Sequence, residues 1–155
     1  MTRWERLAFN VLGGVVSASG LVYAWMKYGM ATDDPFALVN HPLQPAMLKV
    51  HLMASPWFIL SCGVLIGSHV MAITGRGPSP NRRTGFVTLA SVLAMTFSGY
   101  GLQVFTAPVW TRAMLALHLA SAGLFLVIYG VHLVIALRAS DPYRTCEPEA
   151  DRGAV

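Results

Sequence analysis

The sequence predicts an all-α integral membrane protein, a four-helix up-down-up-down bundle with both termini in the cytoplasm. Three observations lead there. Of 155 residues, 55% are hydrophobic and only 12% are charged, where a soluble domain is about half apolar and about a quarter charged. Four apolar runs, 7–28, 46–74, 85–105 and 112–136, each reach the roughly twenty residues needed to cross a bilayer. All seven Asp and Glu residues fall outside those runs. Residues 1–138 therefore form the transmembrane bundle, and residues 139–155 a polar cytoplasmic tail expected to be disordered.

The first run follows the short basic stretch Thr2-Arg3-Trp4-Glu5-Arg6. It exceeds the about 7–15 apolar residues of a signal-peptide core, so an uncleaved first helix is expected. Residues 31–45, with Asp33, Asp34, three prolines and His41, form the longest connection. The second run carries His51, Pro56 and His69. A turn rich in Gly, Pro and Arg over 75–84 leads to the third run, with Gly85, Gly99 and Gly101. A tight link over 106–111, containing Pro108 and Trp110, leads to the fourth, with His118 and His132. Trp4, Trp25, Trp57 and Trp110 read as anchors at the membrane surface. No internal repeat and no low-complexity segment stands out.

The formal charge of +4 does not signal nucleic-acid binding, because the basic residues form no stripe and no base-stacking motif accompanies them. Topology explains them. With four spans, the termini and the middle loop share a side that holds Arg3, Arg6, Arg76, Arg82, Arg83, Arg138, Arg144 and Arg152. The opposite side holds only Lys27, Lys49 and Arg112. That bias places the termini inside and the 31–45 loop outside, toward the periplasm for the inner membrane of a bacterium. Cys62 and Cys146 imply no disulfide framework, and Cys62 reads as a small core filler. There is no Cys-x-x-Cys-His for covalent haem attachment.

The histidines carry the chemistry. Ionisable side chains are expensive inside a bilayer and mark function there, and imidazole is a common axial ligand of haem iron. His51 and His69 are eighteen residues apart, five helical turns and about 27 Å of rise; His118 and His132 are fourteen apart, close to four turns and about 21 Å. Each pair shares one helix face. In an up-down-up-down bundle the second and fourth helices run in the same direction, so His51 matches His118 near the outer side and His69 matches His132 near the inner side. Two non-covalent haems, hence two haem b, fit that arrangement, with His51, His118, His69 and His132 as axial iron ligands.

The rises differ by about 6 Å, a mismatch for Pro56 and unequal haem tilts to absorb. Met53, Met114 and His41 are further candidate ligands near the outer level. The stripe from His51 continues through Ser55, Phe58, Cys62 and Ile66; that from His118 through Ser121, Ala122, Phe125 and Tyr129. Gly85 and Gly99, fourteen apart, are expected to face one way and let a macrocycle approach the backbone. Ordinary close packing of helices is the competing account of these glycines. Backbone carbonyls a turn earlier are expected to orient the rings.

Paired histidines on the second and fourth helices, glycines on the first and third and no covalent attachment motif resemble the four-helix di-haem core of respiratory cytochromes b and small bacterial b-type cytochromes. The resemblance covers residues 7–136 and rests on spacing and residue type. Fourteen-residue spacing is typical of both ligand helices in that group; His118 and His132 match it, whereas His51 and His69 depart from it. What the resemblance implies is electron transfer across the membrane between an outer and an inner haem, with a quinone or quinol as substrate.

No flavin, nucleotide or iron–sulfur motif is present, so an electron-transfer subunit serving a partner redox protein is expected rather than a complete dehydrogenase. Two alternatives remain. One is a self-contained outer-face oxidoreductase linking quinone to a small oxidant such as superoxide. The other is a histidine-lined proton or metal transporter, which the absence of acidic residues from the apolar runs disfavours.

Overall fold

The computed structural model describes residues 2–34, 36–70 and 82–139, and helices are the only regular elements among them. They are α1 (Arg3–Ala24), continued by a π-helical turn at Trp25–Gly29; α2 (Gln44–Leu65), continued by a second π-helical turn at Ile66–Val70; α3 (Arg82–Val104); and α4 (Pro108–Ala139). The segments Arg3–Gly29, Gln44–Ser68, Arg83–Val104 and Pro108–Ile135 are long and apolar enough to cross a membrane. The chain is thus a multi-pass membrane protein by length and composition of its helices. The 75–81 part of the middle turn and the 140–155 tail, with Arg76, Arg144, Cys146 and Arg152, lie outside the described residues.

Capping chemistry moves two helix starts beyond the apolar runs. At α1, Glu5 N–H donates to Thr2 Oγ1 at 3.2 Å and Thr2 N–H donates to Glu5 Oε2 at 2.8 Å, a capping box. The helix begins at Arg3, and Glu5 belongs to its first turn rather than to a flanking loop. At α4, Pro108 takes the first helical position, where its missing N–H costs no hydrogen bond. Pro108 and Trp110 therefore sit in the first turn of α4, and the link shrinks to 105–107. Trp57 corrects another expectation, since it lies well inside α2 instead of near an end.

Contacts divide the chain into two compact units, Met1–Ser79 and Pro80–Val155, each holding one antiparallel helical hairpin. In the first, Phe58 of α2 is 5% exposed. Its ring lies 5.3 Å from that of Phe9 on α1, over a gap left by Gly13. In the second, Ser91, Val92 and Ser98 of α3 are buried, as are Ser121 and Phe125 of α4. The Phe125 and Tyr129 rings stack at 5.4 Å. Small residues at both seams let the helices approach closely, as membrane helices commonly do.

The hydroxyls at these seams are satisfied within their own helices. Ser19, Ser91, Ser98 and Ser121 donate to the carbonyls of Val15, Val87, Ala94 and Leu117 at 2.6–2.8 Å. A buried hydroxyl without a partner is costly in a hydrocarbon setting. Among the described residues, no buried side-chain nitrogen or oxygen lacks one.

Candidate functional site

In the first hairpin, His51 is half-buried on α2 and its ring is set against α1. Nδ1–H donates to the Val16 carbonyl at 2.9 Å. A carbonyl only accepts, so this bond places the ring proton on Nδ1 and the in-plane lone pair of the neutral ring on Nε2. Gly20, one turn after Val16, makes the approach possible: a Cβ there would stand 2.9 Å from His51 Cε1 and 3.0 Å from Nδ1. Ser19, buried beside Gly20, keeps its hydroxyl on its own helix. Ser55 donates to the His51 carbonyl at 2.6 Å, and Phe58 and Cys62 continue the buried stripe.

The second hairpin repeats this arrangement. His118 on α4 donates from Nδ1–H to the Met95 carbonyl at 3.1 Å, with Ser98 Oγ as a second acceptor at 3.2 Å. The fully buried Ser98 hydroxyl directs its own proton to the Ala94 carbonyl at 2.6 Å, which leaves its lone pairs for the ring. A Cβ at Gly99 would stand 3.3 Å from His118 Cε1. The carbonyl, the serine and the glycine have the same spacing in both hairpins: Val16, Ser19, Gly20 and Met95, Ser98, Gly99. Phe58 and Phe125, each buried, follow their histidines by seven residues. A local repeat therefore exists where the sequence shows none.

Further along the same face of α4, the half-buried His132 has Nδ1 3.1 Å from Thr84 Oγ1. Gly85 lies opposite its ring, where a Cβ would meet Cε1 at 3.8 Å. Gly85 and Gly99 do face one way, as their spacing predicts, and what each faces is an imidazole on the neighbouring helix. His69 falls in the π-helical turn Ile66–Val70, and its side chain lies outside the described residues. A π turn accommodates one more residue than an α turn. The five-turn count that brings His51 and His69 into phase assumes unbroken α-helix, and this turn interrupts it.

His41 is bonded in the opposite sense. Its Nδ1 accepts from Leu43 N–H at 3.1 Å, so the neutral ring carries its proton on Nε2. Its carbonyl accepts from Gln44 N–H at 3.0 Å, and together these bonds fasten the loop to the start of α2. Of the other candidate ligands, Met53 is 72% exposed, away from the seam that holds His51. Met114 packs its sulfur against Gly101. Lys49 and Arg112 are exposed in the opening turns of α2 and α4.

His51, His118 and His132 lie on the seams with the preceding helix, α1 or α3, and the sequence reading misses what seats them there. The ring partners are carbonyls and hydroxyls of the adjacent helix, instead of carbonyls a turn earlier. One signal marks them. Each seated histidine lies against a glycine that follows a hydroxyl residue: Ser19-Gly20, Ser98-Gly99 or Thr84-Gly85. An imidazole held by Nδ1–H, with its lone pair on Nε2, is chemically suited to axial ligation, and the hydrogen bond raises its basicity. Among the described residues, no three of His, Cys, Asp and Glu gather into a metal-binding group; an axial ligand needs only one ring from its helix. Comparison with protein-family models, with curated proteins and with solved structures finds no match to this chain.

Proposed function

We propose that this chain is a di-haem b-type cytochrome that carries electrons between the quinone pool and a partner redox protein. His51 and His118 would hold one haem b through iron, and His69 and His132 the other. The observation that carries this reading is the shared tautomer of His51 and His118, with Nδ1–H on the Val16 and Met95 carbonyls. Two neutral rings with lone pairs on Nε2 are what a bis-imidazole iron site requires. When bound, haem supplies one-electron exchange at iron. The chain's own residues hold the rings, fix their protons and surround them with apolar helix.

The surrounding assignments follow from charge and composition. The termini lie in the cytoplasm of a bacterial inner membrane, and the loop with Asp33 and Asp34 lies outside. The bilayer is the medium of the exposed apolar faces, which include Leu60, Val64, Leu93 and Val127.

The test is haem content. A chain purified after haem-sufficient expression should yield two haems per polypeptide in a pyridine haemochrome assay, with low-spin reduced-minus-oxidised bands. A colourless preparation would remove the reading. Given haem, stopped-flow mixing with quinol then examines the electron-transfer role: reduction within the mixing experiment supports it, and haems that quinol leaves oxidised defeat it.

A further inference from the structure

We infer that Thr84 is a positioning residue for His132: its hydroxyl accepts Nδ1–H of His132 and thereby places the ring's lone pair on Nε2. Thr84 would do for this ring what the Val16 and Met95 carbonyls do for His51 and His118. The inference rests on the proposed haem reading for its role, but its geometry stands without it.

Thr84 Oγ1 is 3.1 Å from His132 Nδ1. A hydroxyl can donate or accept, so the distance alone leaves the proton's place open. Analogy with Ser98, at the same register of the seam, assigns the proton to the ring. The four other serine and threonine hydroxyls of α3, Thr88, Ser91, Thr96 and Ser98, each donate to the carbonyl four residues earlier. A hydroxyl spent that way has only lone pairs left, and Ser98 uses one toward His118 Nδ1 at 3.2 Å. Thr84 lies fourteen residues before Ser98, as His132 lies fourteen after His118. The antiparallel seam therefore brings both hydroxyls to both rings in the same register. A glycine follows each, and a Cβ at Gly85 or Gly99 would meet the Cε1 of its ring at 3.8 or 3.3 Å.

The test uses the full chain with Thr84→Val, which keeps the shape and removes the acceptor, and Thr84→Ser, which restores the acceptor. In the haem-loaded protein, losing the bond makes His132 a weaker donor to ferric iron. Thr84→Val should raise the midpoint potential of one haem and alter one low-spin ferric EPR signal, with the other unmoved; loss of one haem is the stronger form of the same result. Thr84→Ser should return both readouts to wild type. Unchanged haem content, potentials and EPR signals in Thr84→Val overturn the inference and leave the cytochrome reading intact.

A wild-type chain that holds no haem defeats the cytochrome reading instead. The hydrogen bond is then read directly from long-range 1H–15N correlations of the His132 ring, which need no variant to fold. A protonated Nδ1 with a pyridine-like Nε2 supports the seat, and the opposite tautomer overturns it.

Discussion

Replacing glycine by alanine along the two seams separates two reasons for having glycine there. At Gly20 the new methyl would stand 2.9 Å from His51 Cε1 and 3.0 Å from Nδ1. Ordinary carbon contacts lie at about 3.5–4.0 Å, so the ring must retreat from α1 by about 0.6–1.1 Å. The Val16 carbonyl is on α1 as well. A retreat of that size stretches the 2.9 Å bond beyond the roughly 3.2 Å limit of a good N–H···O contact. Overpacking costs about 1–3 kcal/mol, and the lost hydrogen bond adds about 1 kcal/mol. Gly20→Ala should therefore destabilise the seated ring by about 2–4 kcal/mol.

At Gly99 the methyl would meet His118 Cε1 at 3.3 Å, and Ser98 offers a second acceptor, so a shift of a few tenths of an ångström suffices. The expected cost is about 1 kcal/mol or less. At Gly85 the distance is 3.8 Å, already an ordinary contact, and the expected cost is near zero. Gly14→Ala and Gly63→Ala, with nothing within 4 Å, are the controls. Thermal unfolding in detergent and haem retained per chain should both rank Gly20→Ala as worst, then Gly99→Ala, then Gly85→Ala. Glycines kept for a macrocycle instead of an imidazole would give a different order. Loss of haem from Gly85→Ala as complete as from Gly20→Ala would refute the ring-clearance argument.

Three other predictions follow from the same geometry. His51→Ala and His118→Ala should each remove the same haem, and His69→Ala and His132→Ala the other; His41→Ala should leave haem content intact, since its Nδ1 serves Leu43 N–H. Removal of a haem by His41→Ala with none lost from His51→Ala would reassign the outer ligand. Phe125→Ala, at a residue only 4% exposed, should destabilise by about 3–5 kcal/mol, measured by unfolding in detergent; a loss under 1 kcal/mol would mean the α3–α4 seam is not packed around it. In a Cys146→Ser background, an Asp33→Cys thiol should react with an impermeant maleimide from the periplasmic side of intact cells, and labelling only after lysis would reverse the topology.

How much of this is legible in sequence depends on which physical effect decides each feature. The helices are legible because an apolar run of twenty residues has few other stable states in a membrane. Their ends are less so. Hydropathy locates the runs, but the Thr2–Glu5 capping box and Pro108 decide where winding starts, and both act beyond the apolar residues. The two π-helical turns carry no compositional mark. That His118 and His132 share a face of α4 comes from helical periodicity, which is a local property. The ring partners do not: the Val16 and Met95 carbonyls belong to backbone, and any residue type supplies one.

The hidden repeat shows the same limit and bears on the ligand spacing. From Val16 to His51 is 35 residues, and from Met95 to His118 is 23. The difference lies in the connection of the first hairpin, residues 30–43 against 105–107, which breaks any fixed period in the sequence. With His51 aligned to His118, the counterpart of His132 in the first hairpin is Leu65, fourteen residues on. The counterparts of Thr84 and Gly85 are Glu5 and Arg6. The hydroxyl and glycine of the second-level seat thus have no like residues at the aligned positions of the first hairpin, where Glu5 Oε2 accepts from Ser68 Oγ at 3.1 Å. His69 stands four residues beyond Leu65, about 6 Å of helix, which is the whole mismatch between the two histidine spacings. The seats of His51 and His118 match within their own hairpins, so the four extra residues of the longer spacing fall beyond Leu65. That stretch is also where a π-helical turn interrupts the regular winding of the chain.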